Sequence, residues 1–286
     1  ATAAATAAAA TATASETSGA EEGGAEGALF CAVSARKFLP ALADGFERCK
    51  SLATLDLTVR CADMPSARAT ADVFLPSLGT CRSLEMLRLD LDASMKCGAK
   101  LMDGMVRLME RLSAHQKLRH LSLGYLWWTE ASDEALQKLR DALVAFGGSV
   151  KELRIRYPND QEFGALDAVA AHAVEGVAEG VEEVLVIDGW GHDGMGLQAL
   201  AESLVLCPRL QRVDLLGHLP PGFDAAAFMA PVRMAHATRV AEAGQACRSG
   251  PPVLHCNTKE GWQRAWASSP SVVDKQRLRT DAELPA

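Results

Sequence analysis

Aromatic residues are scarce in this 286-residue chain, at 5%, and only two of them are Tyr. A core of ordinary size must then be aliphatic, filled mainly by Leu, Val and Ala. No apolar run reaches the roughly 18 residues of a membrane-spanning helix, so no membrane span is expected. The eight cysteines include no C-x-x-C pair and no His/Cys group at zinc spacing, so neither a metal site nor a disulfide scaffold is expected. Scattered cysteines in a chain this long read as an intracellular, reduced protein. H-E-x-x-H, G-x-S-x-G and G-x-x-x-x-G-K-[ST] are all missing, which leaves no metalloprotease, hydrolase or P-loop signature. Basic residues are in deficit. The net charge of −7 speaks against a general nucleic-acid binder, which needs clustered Lys and Arg. Glu16, Glu21, Glu22 and Glu26 precede the first basic residue, Arg36, and account for four of those charges.

Residues 1–27 contain only Ala, Thr, Ser, Gly and Glu. Without large side chains to bury, such a stretch cannot offset its ordering entropy and is expected to be a disordered arm. Its Ala/Thr-rich start lacks Arg. It reads as what remains after a targeting segment is removed, which points to an organelle, mitochondrion or plastid.

What the chain does have is a repeat. The pattern L-x-x-L-x-L, with Val or Ile substituting, starts at Leu52, Leu84, Leu118, Val150, Val181 and Leu210. The separations are 32, 34, 32, 31 and 29 residues. Between matches the spacing turns helical: Leu101, Met102, Met105, Leu108, Met109 and Leu112 share one face, as do Leu136, Leu139, Leu143 and Val144. Phe38-Leu39-Pro40-Ala41-Leu42 is echoed by Phe74-Leu75-Pro76-Ser77-Leu78. One strand and one helix cannot bury their apolar faces alone, so such units must stack.

The L-x-x-L-x-L segments resemble those of the leucine-rich-repeat superfamily, and the unit length is similar to its ribonuclease-inhibitor type. The resemblance covers roughly residues 28–219. It implies an α/β solenoid of about six to seven strand–helix units with a parallel sheet. Residues 220–286 read as a C-terminal cap and loose tail, with a helix near 224–245, a short strand-like Val253-Leu254 and a further helical turn carrying Trp262 and Trp266. The superfamily's regular Asn or Cys after the strand does not recur here, which bears on subclass and curvature.

Two constellations compete for function. The outward positions at mid-strand are Asp56, Arg88, Ser122, Arg154, Leu185 and Asp214, with Asp90, Glu152, Arg156 and Ile187 as neighbours. Trp127 and Trp128 follow the third motif and either anchor a partner at the rim or cover the core. Arg88 and Arg154 are expected about 10 Å apart, within joint reach of one acidic group. The second constellation is the loop Gly189 to Gly194, which spells G-x-G-x-x-G after a strand and before a helix, with Asp214 further on. Its Gly residues are also what a strand-to-helix connection needs. The His192–Asp193 pair in it serves acid–base chemistry or simple loop solvation. Cys49, Cys81 and Cys207 each lie three residues before a motif, a structural position that predicts buried thiols.

The expectation is therefore a non-catalytic module, without cofactor, that binds a protein partner or joins a multi-subunit complex through its concave sheet face. The alternatives are a nucleotide-binding protein or enzyme using the Gly189–Gly194 loop, and an inhibitor that occludes another enzyme.

Overall fold

The computed structural model describes residues 28–34, 42–46, 48, 51–61, 63–93, 95–124, 133–146, 148–157, 166–188, 192–243 and 250–257. The arm 1–27, Cys49, Trp127, Trp128, Gly189 to Gly191, Trp262 and Trp266 lie outside the described residues.

Among the described residues, eight strands form one sheet: β1 (Ala28–Ser34), β2 (Thr54–Cys61), β3 (Met86–Ala93), β4 (His120–Gly124), β5 (Glu152–Tyr157), β6 (Glu183–Asp188), β7 (Arg212–Gly217) and β8 (Val253–Cys256). Their order in the sheet is their order in the chain, and every pair is parallel. Helices return the chain between strands. After β2 come α1 (Met64–Ala69), a π segment (Thr70–Phe74) and α2 (Leu75–Leu78). Then follow α3 (Gly98–Ser113), α4 (Asp133–Val144), α5 (Leu166–Val177), α6 (Gly194–Val205) and α7 (Ala225–Ala243). This is a solenoid-like α/β arrangement, in which each unit leans on the last. An order without reversal has no switch-point crevice, the place where an open doubly wound sheet binds dinucleotides.

The repeat register follows from alternation along each strand. Leu55 and Leu57, Leu87 and Leu89, Leu121 and Leu123, Leu153 and Ile155, Val184 and Val186, and Val213 and Leu215 all point inward and are buried. The helices supply the other half of that core, with Leu101, Met105, Leu108 and Leu112 from α3 and Leu139 and Leu143 from α4; Val144, read from the sequence as part of the same stripe, follows Leu143 onto the outer side of the helix and is exposed. Each such Leu is worth about 2 kcal/mol on burial. The first residues of the six motifs, Leu52 to Leu210, are buried too. A rung of backbone hydrogen bonds carries the register across the units. The carbonyl of the residue before each strand accepts two N–H groups of the next unit: Glu85 and Met86 at Ala53, Arg119 and His120 at Glu85, Lys151 and Glu152 at Arg119. The same pattern continues through Lys151 and Glu182.

Cys81 and Cys207 are buried, as their repeated place predicts, and burial pushes the Cys207 thiol up to about 12. Arginines tie successive helices together. Arg111 donates to the Pro76 carbonyl at 2.8 Å, and Arg239 to those of Val205 and Cys207 at 2.9 and 3.3 Å. These carbonyls lie at helix ends, where they lack helical partners.

The sheet reaches beyond the six motifs at both ends. β1 precedes the first of them. β8 pairs with β7 inside the stretch read from the sequence as a cap. Among the described residues no helix is long and apolar enough to cross a membrane.

Candidate functional site

The outward side chains of β2 to β7 fall into three rows that cross all six strands, set by the pairing register, with Arg60 and Asp92 continuing the face on β2 and β3 alone. The first is Thr54, Met86, His120, Glu152, Glu183 and Arg212. The second is Asp56, Arg88, Ser122, Arg154, Leu185 and Asp214, and the third is Thr58, Asp90, Gly124, Arg156, Ile187 and Leu216. All six outward residues expected from the sequence thus stand in one row. The face they occupy is the one turned away from the helices, since their neighbours along each strand enter the main core.

This face is not a loosely solvated surface. Asp56, Arg88, Ser122 and Asp214 are all buried, with Asp214 only 1% exposed. Asp90 and Arg156 are buried beside them. Four charges form a chain over β2 to β5. Arg88 Nη1 donates to Asp56 Oδ2 at 3.2 Å and Arg88 Nη2 to Asp90 Oδ2 at 3.3 Å. Arg156 Nη2 donates to that same Asp90 oxygen. The alternating signs cancel, which is the condition under which buried charge is tolerated. Gly124 makes the chain possible. It lies between Asp90 and Arg156 in the register, and a Cβ there would stand 2.1 Å from Asp90 Oδ1. With no side chain on β4 at that point, a carboxylate from β3 and a guanidinium from β5 meet across it.

Next to the chain, Glu152 is clamped from two sides. His120 Nδ1 lies 2.9 Å from Glu152 Oε2, and Arg154 Nε donates to Glu152 Oε1. Burial alone would raise the Glu152 carboxyl, but the hydrogen bond from His120 and the charge of Arg154 outweigh it and hold it near 2. Asp56 shows the opposite balance. Burial dominates, the attraction of Arg88 only offsets it in part, and nearby Asp90 adds to the rise, so its carboxyl is pushed up to about 6. Burial and the like charge of Arg156 likewise lower the Arg88 guanidinium.

These groups line a cavity of about 200 Å³. Asp56, Arg88, Ser122 and Arg154 come from the second row, and Met86, His120 and Glu152 from the first. Ser122 Oγ is buried at its floor and makes no hydrogen bond. No nucleophile–base pair therefore joins Ser122 to His120, although the two lie on the same face of β4. Arg88 and Arg154 flank Ser122 as the sequence predicts. Their guanidinium groups, however, are engaged within the chain by Asp56, Asp90 and Glu152. An incoming acid finds no vacant fork there.

Further along the same face the chemistry changes. Arg212 Nε donates to both oxygens of Asp214, at 3.0 and 2.9 Å. Leu185, Ile187 and Leu216 form a small apolar cluster separate from the main core.

On the helix side a larger groove, about 480 Å³, runs between α3 and α4. Its basic groups are paired with exposed partners, Lys100 and Arg107 with Asp72, and Lys138 with Glu134. Polar groups do not converge there on one point, as they do around Ser122.

Of the Gly189–Gly194 loop, the described part starts at His192. The His192 N–H donates to the His218 carbonyl at 2.8 Å. Asp193 caps α6, its Oδ1 accepting from Gly196 N at 2.7 Å. The helix end at which a pyrophosphate would sit in a dinucleotide fold is thus filled by the chain's own carboxylate. Among the described residues no three His, Cys, Asp or Glu side chains are grouped to hold a metal ion.

The fold and site define an all-parallel strand–helix array with a built ionic face. No known protein family matches the chain, and no curated protein matches it.

Proposed function

We propose that this chain is a leucine-rich-repeat-like, non-catalytic binding module. It docks a protein partner, as an accessory or assembly subunit of a larger complex, on the sheet face opposite its helices. The observation that carries this reading is the convergence of Asp56, Arg88, Ser122 and Arg154, one residue from each of four successive strands, on a single cavity of that face. Outward strand positions can be chosen for recognition without disturbing the core, and repeat proteins place binding surfaces there. Trp127 and Trp128 would extend the surface at its rim. The paired charges favour a neutral hydrogen-bonding group of the partner in the cavity, because a charged intruder would have to displace an internal ion pair. The cap that Asp193 places on α6 weighs against the nucleotide-binding alternative.

Methionine footprinting tests the reading directly. Met86 lines the cavity and is 39% exposed, whereas Met195 and Met234 are 85% and 70% exposed on α6 and α7. In the complex that co-purifies with the full chain, Met86 should be protected from oxidation and the other two should not. Protection of Met195 and Met234 with Met86 unprotected would move the docking face to the helices.

A further inference from the structure

We propose that the cavity around Ser122 is a primary-carboxamide site, filled by the side-chain amide of an Asn or Gln that the docked partner presents. The inference deepens the docking reading and rests on it only for the source of the carboxamide.

The cavity exists because Ser122 is short. In the second row it stands between Arg88 and Arg154, level with both. The two arginines turn their guanidinium groups to carboxylates on β2, β3 and β5, and none of those carboxylates lies on β4. The space over Ser122 is left open, at about 200 Å³. One water takes roughly 30 Å³, so the space suits the end of a side chain better than a lone water.

Three unbonded polar atoms belong to residues that line it. Ser122 Oγ is buried without a hydrogen-bond partner, and Ser122 as a whole is 7% exposed. Asp56 accepts from Arg88 through Oδ2, which leaves Oδ1 without a bond among the described residues. His120 meets Glu152 through Nδ1. An ionised carboxylate only accepts, so Nδ1 carries the proton and the neutral ring presents Nε2 as a lone pair. Nε2 likewise has no bond among the described residues. The set is therefore two acceptors and one hydroxyl.

That set selects a ligand by elimination. An apolar group would leave a buried hydroxyl unpaired and incur its desolvation penalty. An ion finds no net charge to bind, because Asp56 cancels Arg88 and Glu152 cancels Arg154. A hydroxyl brings one donor where two acceptors wait. A main-chain amide is trans, with its N–H and C=O on opposite sides, and cannot turn both toward one floor. A primary carboxamide is neutral and carries two N–H donors and a carbonyl acceptor at one end. Its carbonyl accepts from Ser122 Oγ, one N–H donates to His120 Nε2, and the second faces the Asp56 side of the cavity. His120 and Ser122 lie two residues apart on one face of β4, roughly 7 Å along the strand. One carboxamide with a hydrogen bond of ~2.9 Å on either side bridges such a gap.

The test titrates the isotope-labelled full chain, free of partner, with propionamide, propionate, N-methylacetamide and propanol, following the backbone amide signals of β4. Propionamide should shift the Ser122 and Leu123 signals saturably, and the other three should bind at least about tenfold more weakly, since a site built for hydrogen bonds rejects analogues that lack them. Ser122→Ala, with an unchanged far-ultraviolet spectrum, should weaken propionamide by a similar factor. The proposal is overturned by the lack of a saturable shift at β4, by an equal response to any of the other three probes, or by a Ser122→Ala chain that binds as well as the parent. The ranking of the four probes needs no variant, so it can sink the proposal even if Ser122→Ala does not fold. Saturating propionamide should also weaken the co-purifying partner several-fold. Propionamide binding with partner affinity unchanged would assign the cavity to a free amide and overturn the partner as its source. The titration contains no partner and the Met86 footprint no propionamide, so the carboxamide site can fail while the docking face stands, and the reverse.

Discussion

The two ends of the outer face are built from the same strand repeat and are both buried, yet one is ionic and the other apolar. Over β2 to β5 burial is offset by pairing, in the chain Asp56–Arg88–Asp90–Arg156 and the clamp on Glu152. Over β6 and β7 it is met chiefly by Leu185, Ile187 and Leu216, which need no partner, beside the ion pair of Arg212 with the buried Asp214. The difference teaches what each end can tolerate. An apolar patch can lose one side chain and keep the rest of its packing. A buried ionic chain cannot lose a member without stranding a charge.

Removing Asp90 breaks the comparison most sharply, because two guanidinium groups share it. Asp90→Ala should cost about 3–5 kcal/mol in urea unfolding, the usual penalty for stranding buried charge. Gly124→Ala should move stability the same way, since its Cβ needs the space held by Asp90 Oδ1. A cost under about 1 kcal/mol for Asp90→Ala would mean the chain is solvated like a surface pair.

The ionic end should also carry a pH signature that the apolar end lacks. The Asp56 carboxyl is raised to about 6 in the folded chain, so the folded state holds that proton more tightly than the unfolded one. Its burial penalty is absent below about pH 4, grows from there to about 6 and is constant above, with a size of roughly 2–3 kcal/mol. Glu152, held near 2, works in the other direction. It adds stability above its ordinary value that is lost as the pH falls toward 2. Stability should therefore peak between about pH 4 and 5. Asp56→Asn should erase the decline from 4 to 6 and leave the acid limb, as read by denaturant midpoints across that range.

Leu216→Ala sharpens the apolar side. A buried Leu should cost about 2 kcal/mol or more, in the range of core truncations. A change within ~0.5 kcal/mol, as at ordinary surface sites, would mean that Leu216 is not packed as its burial implies. The smallest effect is expected at the thiols. Cys81 and Cys207 should react with a thiol reagent only as fast as the native protein opens. Rapid labelling without unfolding would contradict their burial.

Much of this architecture is legible in the sequence because alternation and period depend on local geometry. The six motif starts, the inward pairs and the outward row from Asp56 to Asp214 all follow from counting along a strand. β1 is not legible because Ala28–Ser34 carries no L-x-x-L-x-L pattern. β8 is legible as the strand-like Val253-Leu254, but its pairing with β7 is not, because α7 and a Pro pair separate the two and its spacing departs from the repeat. The ionic chain is only half legible. Asp90, Arg156 and Glu152 can be named as neighbours of the row. Whether Arg88 and Arg154 remain open to a partner depends on how far the side chains reach between strands. A signal was present in the third row, where Asp90 and Arg156 sit at equal register on either side of Gly124, a residue with nothing to keep them apart.

The central claim is that a partner docks on the outer face of the sheet and not on the helices. The most direct measurement is calorimetric affinity of the co-purifying partner for two full-length variants with unchanged far-ultraviolet spectra. One is Ser122→Leu with His120→Ala, which fills and unlines the cavity. The other is Met195→Asp with Met234→Asp on the helix side. The account predicts that the first pair weakens binding at least tenfold, about 1.4 kcal/mol, and that the second leaves it unchanged. Full affinity in the first pair with loss in the second would contradict it.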